Sequence, residues 1–354
     1  MRHYKTVCRN RDSADEDDPM ATLGDNFQIS RRHRLVYCSV LKAGSTFWRR
    51  FLQVIDSGKV RSPYSIEAKD VNEKSETLQN VFIEDLYEMS QKNLLFMFSR
   101  NPYKRLLSAY LDKLYSANPL FWHSWGHKIK RKPHTICYHD ITFEEFLRYV
   151  VKLEKAPLWK RDPHYASMRE VCKPCQIQYD FIGKIESFKE DVFFFLDHLN
   201  LSRYKGVFKD FEEDTFSDSI WDISHTFEDW KRNIRKCMSM HEAFQRTWRR
   251  LQIRGQISEN MTFPLNEWQS KNLPRHEFFE IVEDAHKRSK NKTDLVKQRE
   301  NMFQRIYSTV PKDLLNELFH VLRPDFDIFD YEKFSQFQNV SPDEDLFDFK
   351  NTKY

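Results

Sequence analysis

The apolar run Leu35-Val36-Tyr37-Cys38-Ser39-Val40 leads directly into Leu41-Lys42-Ala43-Gly44-Ser45-Thr46-Phe47-Trp48. A short apolar run bounded by turn residues reads as a buried strand. The residues after Gly44 (TFWRRFLQVID) read as a helix to about Asp56, capped by Ser45 or Thr46. This strand–turn–helix unit constrains the fold more than any other feature, and it raises a chemical question. The usual phosphate loop, G-x-x-x-x-G-K-[ST], has its lysine after the last glycine. Here Lys42 precedes the loop's one glycine. Backbone N–H groups at a helix start favour an anion, and Gly44 lets the backbone approach it closely. Lys42 adds a mobile positive charge, and Ser45 and Thr46 add hydroxyl donors. An ordinary turn with a helix cap is the alternative.

A second unit of the same kind follows. Leu94 to Ser99 is another buried-strand run, Arg100 ends it, and Pro102 opens a helix. Leu106, Leu107, Tyr110, Leu111 and Leu114 recur at helical spacing, and Ser108 stands about two turns in. A solvated helix face carrying a routine serine would look similar. Thr142-Phe143-Glu144-Glu145 is a capping box for a helix to about Glu154. Tyr179 to Ile185 reads as a third strand, with a helix from Phe188 to Leu199 after it. Further helices are expected near 299–308 and 312–322. Strands alternating with helices predict an α/β fold with a mostly parallel sheet.

The chain has 354 residues, enough for one or two domains. Residues 1–30, with the acidic run Asp12 to Asp18, are expected to form a flexible leader. Residues 31–335 are expected to form the main domain, with 205–300 a variable, partly helical insertion, and 336–354 a C-terminal tail. A net charge of +4 gives no reason to expect nucleic acid as a partner. No run approaches the ~20 apolar residues of a membrane span. Four N-x-[ST] sequons, at Asn200, Asn260, Asn291 and Asn339, lean toward the secretory pathway. Metal-ligand spacing is absent apart from Cys172-Lys173-Pro174-Cys175, and a zinc site would need a second such pair. A small-molecule kinase with a variant phosphate loop is an alternative, but the G-K-[ST] order and an Mg²⁺ carboxylate after a strand are both missing.

Taken together, Lys42-Ala43-Gly44-Ser45-Thr46-Phe47-Trp48 and Arg100-Asn101-Pro102-Tyr103-Lys104-Arg105-Leu106-Leu107-Ser108-Ala109-Tyr110 resemble two signature motifs. They are those of sulfotransferases that use 3′-phosphoadenosine 5′-phosphosulfate (PAPS). Leu41 stands where that family usually has proline. The segments 142–150, 164–188 and 322–332 extend the likeness to the Golgi carbohydrate sulfotransferases that sulfate chondroitin, dermatan, N-acetylgalactosamine or glucuronic acid. The resemblance covers about residues 34–200 and 303–332. It implies a central parallel sheet like that of P-loop NTPases, flanked by helices. It also implies PAPS as co-substrate with no metal, and an anionic or N-acetylgalactosamine-containing glycan as acceptor; a non-catalytic glycan- or nucleotide-binding relative is the alternative, against which the intact Lys42, Arg100 and Ser108 argue. It further implies a Golgi membrane location through an anchor not present in this sequence.

The resemblance assigns site residues as well. Lys42, Ala43, Gly44, Ser45, Thr46 and Phe47 would hold the 5′-phosphosulfate, and Arg100 and Ser108 the 3′-phosphate. Arg105 either adds charge there or is solvated. His164 is the expected general base, with His123, His127, His139 and Glu186 as rivals. Glu186 would otherwise orient a site residue or pair with Lys184. The basic cluster at 128–132, with Trp122 and Trp125, is either a glycan-binding loop or a solvated one. A lumenal disulfide is implied at the C-x-x-C, with Cys172 and Cys175 joined to each other or one of them to Cys137. Cys38 is expected to be a buried thiol.

Overall fold

The computed structural model describes residues 2–9, 26–67, 70–71, 76–78, 82–130, 137–157, 160–290, 294–332 and 344–347. The chain divides into two compact units: residues 1–106, 152–214 and 319–333 form one, and 107–151, 215–318 and 334–354 the other.

In chain order the first elements are α1 (Arg2–Arg9), β1 (Phe27–Ser30), β2 (Leu35–Cys38), α2 (Ser45–Ser57) and β3 (Thr77–Leu78). They are followed by α3 (Ile83–Ser90), β4 (Leu94–Ser99), α4 (Pro102–Tyr110) and α5 (Phe143–Glu154). Then come α6 (Met168–Cys172), β5 (Phe181–Lys184), α7 (Phe188–His198), α8 (Phe211–Cys237) and α9 (Met240–Ile253). The last three are α10 (Arg275–Lys290), α11 (Leu295–Ser308) and α12 (Lys312–Ile328). Boundaries between the units fall inside α4, α5, α8 and α12.

The first unit contains a five-stranded sheet in the order β3-β1-β2-β4-β5. The three strands expected from sequence are its parallel core, with Leu35 opposite Leu94 and Phe96 opposite Phe181. The expected α/β class is therefore observed, with an addition: β1 and β3 extend the sheet antiparallel. Side chains alternate across the pleat. Val36, Cys38, Leu95 and Met97 face α1, α6 and the end of α12. Leu35, Tyr37, Phe96 and Phe98 face α2, α7 and residues 201–208. Both faces are covered, as parallel strands require, since neither face of such a strand is polar.

Part of the expected leader is ordered. α1 docks through Tyr4, whose hydroxyl donates to the Tyr179 carbonyl at 2.9 Å, and β1 pairs into the sheet. The acidic run 12–18 lies outside the described residues. So does most of the expected tail, although Leu346 is buried.

The cysteines correct the sequence expectation. Cys38 bonds to Cys172, Cys8 to Cys175, and Cys137 to Cys237. Cys38 is thus no free thiol, and the C-x-x-C pair does not close on itself. Its two sulfurs take partners 134 and 167 residues away. Cys38 ends β2, so its bridge ties the strand before the Gly44 turn to α6.

The second unit is helical. α8, α9 and α10 pack around Phe227, Phe244, Trp248 and Phe278, and this is where most of residues 205–300 reside. Trp122 and Trp125 are 1% and 2% exposed. The Trp122 indole donates to the Leu114 carbonyl at 2.8 Å, so these rings are core and not a sugar-stacking surface. Lys130 is engaged with Asp140 at 3.1 Å and Glu145 at 3.4 Å, while Arg131 and Lys132 lie outside the described residues. Asn200 and Asn260 are exposed, and the other two sequon asparagines lie outside the described residues.

Candidate active site

The loop between β2 and α2 is bent by two residues of left-handed backbone, one on either side of Ala43. Lys42 has φ 67° and Gly44 has φ 77°. Glycine adopts this region at no steric cost, whereas lysine does so only where its surroundings hold it. A Cβ on Gly44 would also lie 3.1 Å from Ile185 Cδ1. Gly44, not Ser45 or Thr46, occupies the N-cap position, and no side chain caps the helix. The first intrahelical bond runs from the Trp48 N–H to the Gly44 carbonyl at 3.1 Å. The N–H groups of Ser45, Thr46 and Phe47 therefore have no partner within the helix. They point out of its positive end, beside Lys42, where an anion is favoured.

The side chains divide differently from expectation. Thr46 is exposed and Lys42 is half-buried, but Ser45 and Ala43 are buried. Phe47 packs in an aromatic cluster with Trp48, Phe51, Phe188, Phe208 and Phe211. Only its backbone N–H can serve an anion. Its ring instead packs α2 against α7 and the segment 208–211.

Two arginines pin the loop from behind. The Arg100 Nη1 donates to the Lys42 carbonyl at 2.9 Å, and the Arg105 Nε donates to the Leu41 carbonyl at 2.9 Å. Successive carbonyls are held toward the arginines, which sets the strained turn at Lys42. Arg105 is not solvated: it is 2% exposed. Its Nη1 donates to the Ala166 carbonyl at 2.6 Å and its Nη2 to the Pro163 carbonyl at 2.8 Å. Burial lowers its pKa to about 10, opposed by Asp325 and Glu154, so it is a cation at neutral pH.

The second helix start is built differently. Asn101 Oδ1 accepts from the N–H groups of Tyr103 and Lys104, at 3.0 and 3.2 Å, and so caps α4. The Asn101 N–H donates to Glu186 Oε1 at 2.9 Å, and the Tyr331 hydroxyl donates to Glu186 Oε2 at 3.0 Å. Glu186 is thus an orienting group at the end of β4. Lys184 turns elsewhere, to the Asp330 carbonyl at 2.8 Å. Ser108 is half-buried two turns into α4, on the same face as Lys104 at i, i+4 spacing.

His164 lies in the tight turn 162–166, where Asp162 O accepts from the Tyr165 and Ala166 N–H groups. Its Nδ1 is 2.6 Å from Asp162 Oδ1, which also accepts the His164 N–H at 2.9 Å. A proton on Nδ1, shared with the carboxylate, sets the tautomer in which Nε2 carries the lone pair. This is the arrangement a general base needs. The turn has its own supports. Glu154 accepts from Arg161 at 2.9 Å and from the Ser167 N–H at 3.0 Å. Asp325 accepts from the Met168 and Arg169 N–H groups at 2.7 and 2.9 Å. Burial raises the pKa of both carboxyls.

The structure therefore joins Lys42, Gly44, Arg100, Arg105 and His164 through bonded contacts within the first unit. His123, His127 and His139 belong to the second unit. His139 lies half-buried, 5.8 Å from the Trp122 ring, and burial lowers its pKa. Asp162, Asp325 and Tyr331 were missed as contributors. The Asp-x-His spacing was the available sign for Asp162. The motif 322–332 stands out in the sequence, but nothing local to it shows that Asp325 reaches α6. Among the described residues no group of histidine, cysteine and carboxylate side chains could hold a metal ion, and no helix is long and apolar enough to cross a membrane.

The sulfotransferase family model matches residues 25–251. Carbohydrate sulfotransferase 11 of Mus musculus is 29% identical over 211 residues, covering 56% of this chain and 60% of that protein. Carbohydrate sulfotransferase 9 of Homo sapiens is 30% identical over 177 residues, covering 48% and 39%. Carbohydrate sulfotransferase 14 of Danio rerio is 29% identical over 196 residues, covering 52% and 50%. The match thus spans 60% or less of each of these relatives. No solved structure matches the chain. With a family match over most of its length, and an open helix start beside Lys42 at the head of that match, the chain belongs to the sulfotransferase family.

Proposed function

We propose that this chain is a PAPS-dependent carbohydrate sulfotransferase acting on a hydroxyl of a glycan, of the chondroitin, dermatan or N-acetylgalactosamine-containing kind. The observation that carries the reading is the bonded chain from the Gly44 turn, through Arg105, to the His164–Asp162 pair. It links a loop with an open helix start to a histidine held by a carboxylate, which supports a donor loop and a base acting together. The donor set fits a phosphosulfate: three backbone N–H groups, the Lys42 ammonium and the Ser45 and Thr46 hydroxyls. Arg100 and Ser108 are assigned to the 3′-phosphate, which separates PAPS from ATP. PAPS supplies the sulfuryl group and a phosphate leaving group.

His164 Nε2 takes the proton of the acceptor hydroxyl as the new S–O bond forms, and Asp162 stabilises the resulting imidazolium. Lys42 neutralises charge growing on the bridging oxygen as the bond from that oxygen to sulfur breaks. Positioning and charge stabilisation then supply most of the rate, as in phosphoryl transfer. A Golgi lumen suits this activity, and three disulfides using all six cysteines support an oxidising compartment.

The test is transfer of labelled sulfate from PAPS to desulfated chondroitin, dermatan and simple N-acetylgalactosaminides. Transfer to at least one is expected, with His164→Ala lowering kcat about 10²-fold or more and leaving affinity for 3′-phosphoadenosine 5′-phosphate (PAP) unchanged. Preference for ATP over PAPS would sink the proposal. Unchanged kcat in the His164 variant would remove it as the base.

A further inference from the structure

Arg105 sits inside a motif whose arginines would be read as cofactor ligands, yet its geometry points inward. Its Nε and both terminal nitrogens donate to backbone carbonyls, at 2.9, 2.6 and 2.8 Å. Those carbonyls come from two separate segments. Leu41 belongs to the loop that precedes Lys42, while Pro163 and Ala166 bracket His164. A planar guanidinium has a fixed fork of donors, so three simultaneous bonds fix distances between their acceptors. The head group is buried, and Asp325 and Glu154 supply the balancing charge. Asp325 is itself bound to the N–H groups of Met168 and Arg169, just beyond the His164 turn. The cation, its counter-charge and the turn thus form one unit.

We infer that Arg105 is a positioning residue, which sets the distance between the sulfuryl-donor loop and the acceptor-side base by bonding the backbones of both. The inference rests on the function proposed above for what the two segments do, but not for the bridge between them. Arg100 holds the neighbouring carbonyl of Lys42, so the loop keeps one clamp when Arg105 is changed. Loss of Arg105 should therefore affect the alignment of base with donor more than the binding of nucleotide.

Arg105→Lys keeps the charge but removes the fork, and Arg105→Gln keeps a donor without the charge. Backbone hydrogen exchange is measured first, on the full chain. Segments 39–47 and 160–167 are both expected to exchange about tenfold faster in either variant, with β4 and β5 unchanged. Acceleration of only one segment would overturn the inference. So would failure of both variants to fold, which would make Arg105 a support of the whole unit. Kinetics are then read as a cycle with His164→Ala. Arg105→Lys should lower kcat about 30-fold in the parent chain and less than about 3-fold in the His164→Ala background, because a displaced base cannot be lost twice. PAP affinity should change less than about 3-fold. Equal losses in both backgrounds, or a fall in PAP affinity matching the fall in kcat, would reassign Arg105 as a ligand or a general support. A parent chain without sulfuryl transfer would refute the proposed function, and the exchange measurement would still decide the bridge.

Discussion

Two helices begin at the ends of adjacent parallel strands, and the chain treats their first turns in opposite ways. α2 starts at Gly44 with no side-chain cap, and its leading N–H groups stay open. α4 starts at Asn101, whose side chain fills the same positions with its own oxygen. A glycine start without a side-chain cap forgoes only about a few tenths of a kcal/mol, but here it comes with a strained Lys42 and a glycine that no other residue replaces freely. The capped start is stable by itself and can offer an anion only its flanking side chains. On the function proposed above, the difference separates a helix end kept open for a ligand from one used to build the fold.

Four substitutions would break or sharpen this contrast. The largest effect is expected from Lys42→Ala, which removes the charge beside the open end. Sulfuryl transfer should fall about 10³-fold, the size of losing one transition-state donor, with an unchanged circular dichroism spectrum. Near-normal transfer would show that the open end works without it. Gly44→Asn puts a polar side chain at the first start. Asparagine tolerates the left-handed backbone, with its Cβ 3.1 Å from Ile185 Cδ1. PAP affinity, by calorimetry, should drop about tenfold while stability moves by less than ~1 kcal/mol. Ser108→Ala should reduce the preference for PAP over 5′-AMP about fivefold, the loss of about one hydrogen bond, in competition binding. Smallest in function is Asn101→Ala. It should cost ~1 kcal/mol in urea unfolding, the value of a cap, and change PAP affinity less than twofold. If Asn101→Ala weakened PAP as strongly as Gly44→Asn, the two helix ends would not differ in role.

Much of this arrangement was legible in the sequence because it is local. The runs 35–40 and 94–99 are apolar and sharply bounded, and with the more mixed run 179–185 they became β2, β4 and β5. The lysine–glycine order lies within one turn of chain, and the Arg100-to-Ser108 spacing within about two turns of one helix and its start. What could not be read depends on distant partners. Phe27–Ser30 is too short and mixed to announce a strand, and it becomes one because β2 offers an edge to pair with. Phe47 looked like part of the loop, but an aromatic cluster with Phe188, Phe208 and Phe211 claims its ring. Arg105, at its place in the motif, could be read as an added charge at the 3′-phosphate or as solvated, and three carbonyls from residues 41, 163 and 166 decide its place instead. Trp122 and Trp125 suggested a sugar platform, and burial in the helical unit removes them. Asp325 takes its meaning from α6, more than 150 residues earlier.

The cysteine pairing has a consequence for how the protein is made. Cys8 and Cys38 leave the ribosome long before Cys172 and Cys175, and the two late cysteines are separated by only Lys173 and Pro174. The nearest thiol to each cysteine during synthesis is therefore the wrong one, since the native bonds run from Cys8 to Cys175 and from Cys38 to Cys172. Early thiols must stay reduced, or bonds formed early must be undone by thiol–disulfide exchange. The strand that carries the Lys42 loop is consequently fastened only after half the chain has been synthesised, which ties maturation of the site to the cell's disulfide-exchange machinery.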